Sequence, residues 1–287
     1  MSGSERGSRG EGSRAAALLS PSMLWIVVFF VGPLLVMAAF SLARRGAYGT
    51  VNWTLGIQNY LQAVDPIYLA VYGRSVWIAV VTTVLCFAVG YPTAYAIAMK
   101  VPQRWKSTLL VLAVVPFWTS FLVRTYAWRF MLQDDGLVNA LFAWVGLPAQ
   151  KLLYTETAVM IGQVYAELPF MILPLYAAIE RLDRGLLEAA SDLGASRVSR
   201  FLHVTLPLTK SGIVAGVVLV LVPSLGAFIT PDMLGGAKSM MIGSLIQEQF
   251  VQRNQPFGAA LGNILAIAVL VLLVIAWRAG AREEART

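Results

Sequence analysis

Two ionisable residues, Arg124 and Glu167, lie inside otherwise apolar stretches of the chain. Charge at such a place is costly and marks either a solute route or a structural pair. Around them stand the aromatic residues Trp118, Tyr126, Trp128 and Tyr165, whose ring faces can hold a cation but which also serve as packing in apolar helices. Glu167 therefore has two open roles, as counter-charge for a cationic solute or as the partner of Arg124. Asp134, Asp135 and Asp232 fall near expected helix ends, where they either attract cations or stand as solvated loop charges. No catalytic set is visible inside the apolar stretches, which hold no paired acids, no His cluster and no nucleophile beside a base. His203 and Cys86 are the single residues of their types, which excludes a His/Cys metal site and an intramolecular disulfide.

The elements that position these residues follow from composition. Of 287 residues, 58% are hydrophobic and 13% charged, against roughly a quarter charged in soluble domains. Several apolar runs reach the ~20 residues that a helix needs to cross ~30 Å of hydrocarbon. The expectation is an all-α polytopic membrane protein with six transmembrane helices, at about 23–42, 75–99, 108–132, 157–179, 211–231 and 261–277. They form one transmembrane domain over 21–280, between tails at 1–20 and 281–287, with 1–14 too poor in apolar surface to order. The first span exceeds the ~7–15 residues of a signal-peptide core and reads as an uncleaved anchor. Pro92, Pro116, Pro169, Pro174 and Pro223 predict kinks.

The formal charge of +7 does not point to nucleic acid, because the basic residues sit in short blocks beside the spans; the partner they imply is the lipid bilayer. One set of connecting segments holds fourteen Lys and Arg, among them Arg6, Arg9, Arg14, Lys100, Lys106, Arg181, Arg197, Arg200 and Arg278, and the alternate set holds six: Arg44, Arg45, Arg74, Lys151, Lys238 and Arg253. The positive-inside rule then puts both termini and the 180–210 loop in the cytoplasm.

That loop is a polar island with its own design. Asp183 is placed to cap a helix, Leu186, Leu187, Ala190 and Leu193 give it one apolar face, and Gly194 can take the left-handed conformation that ends it. Ser196 can cap a second helix, Arg197 to Val204, stopped by Pro207, so the whole is a bent helical elbow. Its sequence runs Glu188-Ala189-Ala190, three residues, Gly194, nine residues, then Val204-Thr205-Leu206-Pro207. This resembles the EAA loop of bacterial ABC-importer permeases, and the one departure is Val204 where that family has Ile.

The resemblance implies a coupling helix that docks in a groove of an ATPase subunit, with Glu188, Ala189, Ala190, Asp192, Gly194, Leu206 and Pro207 as coupling residues. It further implies an ATPase dimer that binds ATP and Mg, a second homologous permease, an extracytoplasmic solute-binding protein, and a place in the bacterial cytoplasmic (inner) membrane. The chain has no nucleotide site of its own: in Leu234-Gly235-Gly236-Ala237-Lys238-Ser239, Ala237 stands where a P-loop requires Gly. Catalysis is therefore assigned to the separate ATPase.

Further stretches, Pro116-Phe117-Trp118-Thr119-Ser120 through Trp128, Leu168-Pro169-Phe170-Met171, Pro231-Asp232-Met233-Leu234-Gly235-Gly236 and Pro256-Phe257-Gly258-Ala259-Ala260, are similar to landmarks of the spermidine/putrescine (polyamine) importer permeases, in particular the first permease subunit of that group. A polyamine route calls for carboxylates and aromatic faces, which gives Trp118, Arg124, Tyr126, Trp128, Tyr165, Glu167 and Asp232 as candidate pathway residues. Related permeases carry opines, phosphonates and other small solutes. An ion-coupled carrier or a membrane-embedded enzyme is the reading outside the family.

Overall fold

The computed structural model describes residues 20–284; the expected disorder of residues 1–14 and the basic residues Arg6, Arg9, Arg14 and Arg286 lie outside the described part. In chain order the principal helices are α1 (Ser20–Leu42), α2 (Gln58–Ala63), α3 (Pro66–Lys100), α4 (Gln103–Trp118), α5 (Phe121–Met131), α6 (Leu137–Trp144), α7 (Glu156–Glu180), α8 (Arg184–Asp192), α9 (Arg197–Leu208), α10 (Lys210–Leu225), α11 (Ile242–Val251) and α12 (Gln255–Glu284). Four of them, α1, α3, α7 and the Gln255–Ala276 part of α12, are long and apolar enough to cross a membrane. The number rises to six if the bent pairs α4 with α5 and α9 with α10 each count as one span.

The chain divides into two compact units. The smaller comprises the N-terminal part to Val64 together with Gln249–Ile264. Its apolar helices are held by a short polar chain: Asn263 Nδ2 donates to Tyr60 OH at 3.2 Å, Tyr60 OH meets Ser41 Oγ at 2.8 Å, and Asn59 Nδ2 donates to the carbonyls of Ser41 and Ala43. Interhelical hydrogen bonds of this kind hold helices together in lipid, where apolar burial alone gives little preference for protein over solvent. A two-residue antiparallel ladder, Arg44–Arg45 with Val51–Asn52, closes the loop after α1.

The larger unit, Asp65–Glu248 with the rest of α12, is built on α3, α7 and α10. Cys86, Tyr91, Ala94 and Ala98 of α3, Met171, Ile172, Leu175 and Ile179 of α7, and Val220 of α10 make its central cluster. Gly212 lets α10 close on α7, since a Cβ there would stand 2.8 Å from the Pro174 carbonyl oxygen. Buried polar side chains are paired between elements: Thr82 Oγ1 donates to Gln163 Oε1 at 3.1 Å, and the Ile242 N–H donates to Ser75 Oγ at 2.7 Å. Lys106 of α4, 5% exposed, places its ammonium 3.0 and 2.9 Å from the two carboxylate oxygens of Glu180, the last residue of α7.

Several boundaries differ from the sequence expectation: α3 starts nine residues before the expected 75 and α12 six before the expected 261, and three further differences have local causes. The stretch 108–132 is not one helix: α4 ends in a 3₁₀ turn at Trp118, and α5 leaves at 89° after Thr119 and Ser120. Pro116 causes this, and its carbonyl is taken by the N–H and the hydroxyl of Thr119. The span expected to reach 231 stops at Leu225, two residues past Pro223, where the following backbone is covered by α11. There Gly243 approaches so closely that a Cβ would lie 2.5 Å from the Gly226 and Ala227 carbonyl oxygens. By contrast α7 is helical throughout despite Pro169 and Pro174. The tail expected from 281 starts as helix, since α12 runs to Glu284.

Candidate functional site

The elbow forms from local signals. Asp183 Oδ1 accepts the Gly185 N–H at 2.8 Å and starts α8. At the far end the Ala195 N–H reaches the Ala190 carbonyl at 3.0 Å and the Gly194 N–H the Ser191 carbonyl at 2.9 Å, with Gly194 at φ +80°. That is a Schellman turn, and only a residue tolerant of the left-handed region fits its pivot. Ser196 Oγ then accepts the Ser199 N–H at 3.2 Å and opens α9. The second arm passes the expected stop at Pro207 and continues to Leu208. A π-turn ahead of the ring, from the Leu206 N–H to the Phe201 carbonyl, accommodates the missing donor.

A contact not foreseen from sequence locks the two arms: the Arg200 guanidinium donates to Ser191 Oγ, which itself donates to the Leu187 carbonyl at 2.9 Å. Nothing periodic signals this pair, because it crosses the glycine turn. The outer face carries Glu188, Ala189, Asp192 and Gly194, all exposed, while Ala190 and Leu206 are half-buried and Pro207 is exposed. The single apolar face expected for α8 is split. Leu187 and Ala190 turn inward, whereas Leu193, at the C-cap where the chain leaves the helix, is 88% exposed and joins Val198 on the outer surface. The arrangement offers small and apolar side chains rimmed by two acids, a shape suited to docking.

The elbow is rooted at two points. Glu180, just before it, holds Lys106. Thr209, just after it, sits at the 69° bend between α9 and α10, is fully buried, and meets Tyr91 OH of α3 through its hydroxyl at 2.9 Å. Motion of the elbow thus bears directly on α4, on α3 and on α10.

The intramembrane candidates are only partly brought together. Trp128 and Tyr165 meet edge to face at 5.5 Å, and with Arg124 they line a cavity of about 10 Å³, room for little more than one water. Trp118, the last residue before the break, is 84% exposed, Tyr126 is 49% exposed, and Asp232 is exposed on the Pro231–Gly235 turn. Arg124 and Glu167 do not form the ion pair that the sequence suggested. The guanidinium of Arg124 lies over the rings of Phe117 at 5.1 Å and Phe121 at 5.7 Å, and Phe117 in turn packs on Phe170 at 4.9 Å. The turn at Thr119 and Ser120 accounts for this, since it swings Arg124 onto a separate helix and back across the aromatic residues that precede it. Arg124 Nε and Glu167 Oε2 are both buried without a hydrogen-bond partner.

Sequence and structure comparisons place this architecture. The family described as binding-protein-dependent transport system inner membrane component matches residues 90–280. The chain is 41% identical over 258 residues to the spermidine/putrescine transport system permease protein PotB of Salmonella typhimurium (strain SL1344), covering 89% of this chain and 90% of that protein. It is 40% identical to PotB of Escherichia coli (strain K12), covering 89% of this chain and 94% of that one. Among solved structures, a chain of a bacterial alginate ABC transporter in complex with alginate pentasaccharide-bound periplasmic protein matches with a TM-score of 0.71 at 17% identity, covering 94% of both chains. That likeness is one of fold.

Proposed function

We propose, from the premise that this chain belongs to the binding-protein-dependent transport system inner membrane components, that it is a permease subunit of an ATP-driven importer of spermidine and putrescine. The observation that carries the substrate is the similarity to spermidine/putrescine permeases along nearly the whole chain. In this reading α1, α3, α4 with α5, α7, α9 with α10, and α12 are the six spans, with both termini and the elbow in the cytoplasm; the basic bias of the connecting segments supports that orientation.

The elbow docks on the ATPase through Glu188, Ala189, Ala190, Asp192 and Gly194, with Leu206 and Pro207 setting the second arm. ATP and Mg are bound by the ATPase dimer and not by this chain. Two ATPase sites face one elbow here, so a second homologous permease supplies the other, and an extracytoplasmic binding protein delivers the solute, as the complex of the alginate transporter with its periplasmic protein illustrates. Glu167, with a buried carboxylate oxygen lacking a partner, is the counter-charge offered to a passing ammonium, with Tyr165 and Trp128 as adjacent ring faces.

The test is uptake. Cells lacking polyamine import, given this chain with its co-purifying ATPase, second permease and binding protein, should accumulate labelled spermidine and putrescine. Assembly of that complex without polyamine uptake, but with uptake of another small solute, would reject the substrate and retain the permease. Uptake by the chain alone in vesicles without ATP would reject the mechanism.

A further inference from the structure

We infer that the corner between α3 and the elbow is a binding site for a phosphate anion, supplied by the headgroup of an anionic phospholipid. A cavity of about 500 Å³ opens there, and three cationic side chains from two elements converge on it: Lys100, the last residue of α3, and Arg197 and Arg200 at the start of α9. Tyr95 and Thr205 add hydroxyls to its wall, and Leu187 closes one side. No acidic residue is among the described residues that line it. Among the described residues neither Lys100 nor Arg197 has a carboxylate within ion-pairing distance, in contrast to Arg74 with Glu156 and Lys106 with Glu180 in the same unit.

Three like charges around one cavity repel each other unless an anion stands between them. A phosphate does so best, because the arginine fork matches its oxygens two at a time. Arg200 is already held by Ser191, so part of the ordering cost of binding is met beforehand. The location supplies the ligand. Lys100 ends a 35-residue apolar helix, so the cavity lies at the membrane boundary, where headgroup phosphates are concentrated, whichever side that end faces. Basic pockets between helices at this level are suited to anionic headgroups. An occupied site would brace α3 against α9 and so tie the elbow's position to lipid composition.

The experiment uses the full chain in nanodiscs containing phosphatidylcholine with or without phosphatidylglycerol, with bound lipid counted by native mass spectrometry after transfer to neutral detergent. The wild type should retain phosphatidylglycerol in preference to phosphatidylcholine. Lys100→Gln/Arg197→Gln should weaken that retention on the order of thirtyfold, whereas Arg104→Gln/Lys151→Gln, with the same net charge, should not. Inorganic phosphate is the second probe. If it alone raises the unfolding temperature of the wild type but not of Lys100→Gln/Arg197→Gln, the anion site stands and its ligand is soluble. Equal retention of the two lipids by the wild type with no response to phosphate overturns the inference. So does loss of retention to the same degree in the Arg104→Gln/Lys151→Gln control.

Discussion

The Lys106–Glu180 pair permits a quantitative test, because its two members differ in exposure: the Lys106 side chain is 6% exposed and that of Glu180 33%. Breaking a buried ion pair costs about 3–5 kcal/mol when the charge left behind is uncompensated, whereas a charge that water still reaches loses about 1 kcal/mol or less. Glu180→Leu strands the ammonium in the drier position, so a loss of about 3 kcal/mol is expected. Lys106→Met leaves a carboxylate one-third exposed, and a loss of about 1 kcal/mol is expected. The double change Lys106→Met/Glu180→Leu removes both charges and should lie within about 1 kcal/mol of the wild type. Unfolding of the full chain in mixed micelles, titrated with a denaturing detergent and followed by tryptophan fluorescence, measures all four corners of the cycle. Equal losses for the two single variants, or additive losses in the double, would refute the reasoning from exposure.

Gly194→Val should lower uptake and stimulated ATP hydrolysis together while solute capture by the binding protein is unchanged. No atom crowds its Cβ position, so the whole cost is the left-handed backbone, about 1–3 kcal/mol; Gly194→Asn should keep most activity, and failure of both variants alike would mean that packing rather than φ decides. Cysteines at Asp135 and Ser196, placed singly in a Cys86→Ala background, should label from opposite sides of intact cells. Labelling of Ser196 from outside would reverse the orientation. Glu167→Gln should reduce polyamine uptake in a complex that still assembles, and Arg124→Gln should not rescue it. A coupling above about 1 kcal/mol in a double-mutant cycle on assembly would restore the ion pair that the geometry denies. Ser191→Ala frees Arg200 from its hydroxyl partner and should reduce stimulated ATP hydrolysis more than it reduces stability, read as turnover against unfolding midpoint.

What the sequence made legible is what local rules control. Asp183, Gly194 and Ser196 announced the caps and the turn of the elbow within a few residues of themselves, and the long apolar runs marked α1, α3, α7 and α12. The end of α10 escaped because it depends on Gly243 and its neighbours arriving from another part of the chain. The right-angled turn after Trp118 escaped because a proline inside an apolar run is compatible with anything from a mild bend to a full break, and α7 shows the milder outcome with two of them. Contacts such as Lys106 with Glu180, 74 residues apart, and Tyr91 with Thr209, 118 residues apart, have no sequence periodicity at all. The sequence did place Arg124 and Glu167 each inside an apolar stretch, but that alone does not determine direction, and the guanidinium lies over Phe117 and Phe121 instead.

The break between α4 and α5 also dictates what its surroundings must be. Where a helix stops and another starts, the last carbonyls and the first amides have no partners within their own helices. Here Ser120 gives α5 no side-chain cap, and Thr119 and Ser120 are exposed on the isolated chain. Hydrocarbon cannot accept such groups, since each unsatisfied one costs several kcal/mol in lipid. In the six-span reading proposed above, which sets the break within the membrane, the side of the molecule that carries Thr119 and Ser120 is therefore barred from acyl chains, and its neighbour there must be water or another polypeptide. On that reading a single proline-induced turn separates the surface of this chain that faces lipid from the surface that faces the interior of an assembly.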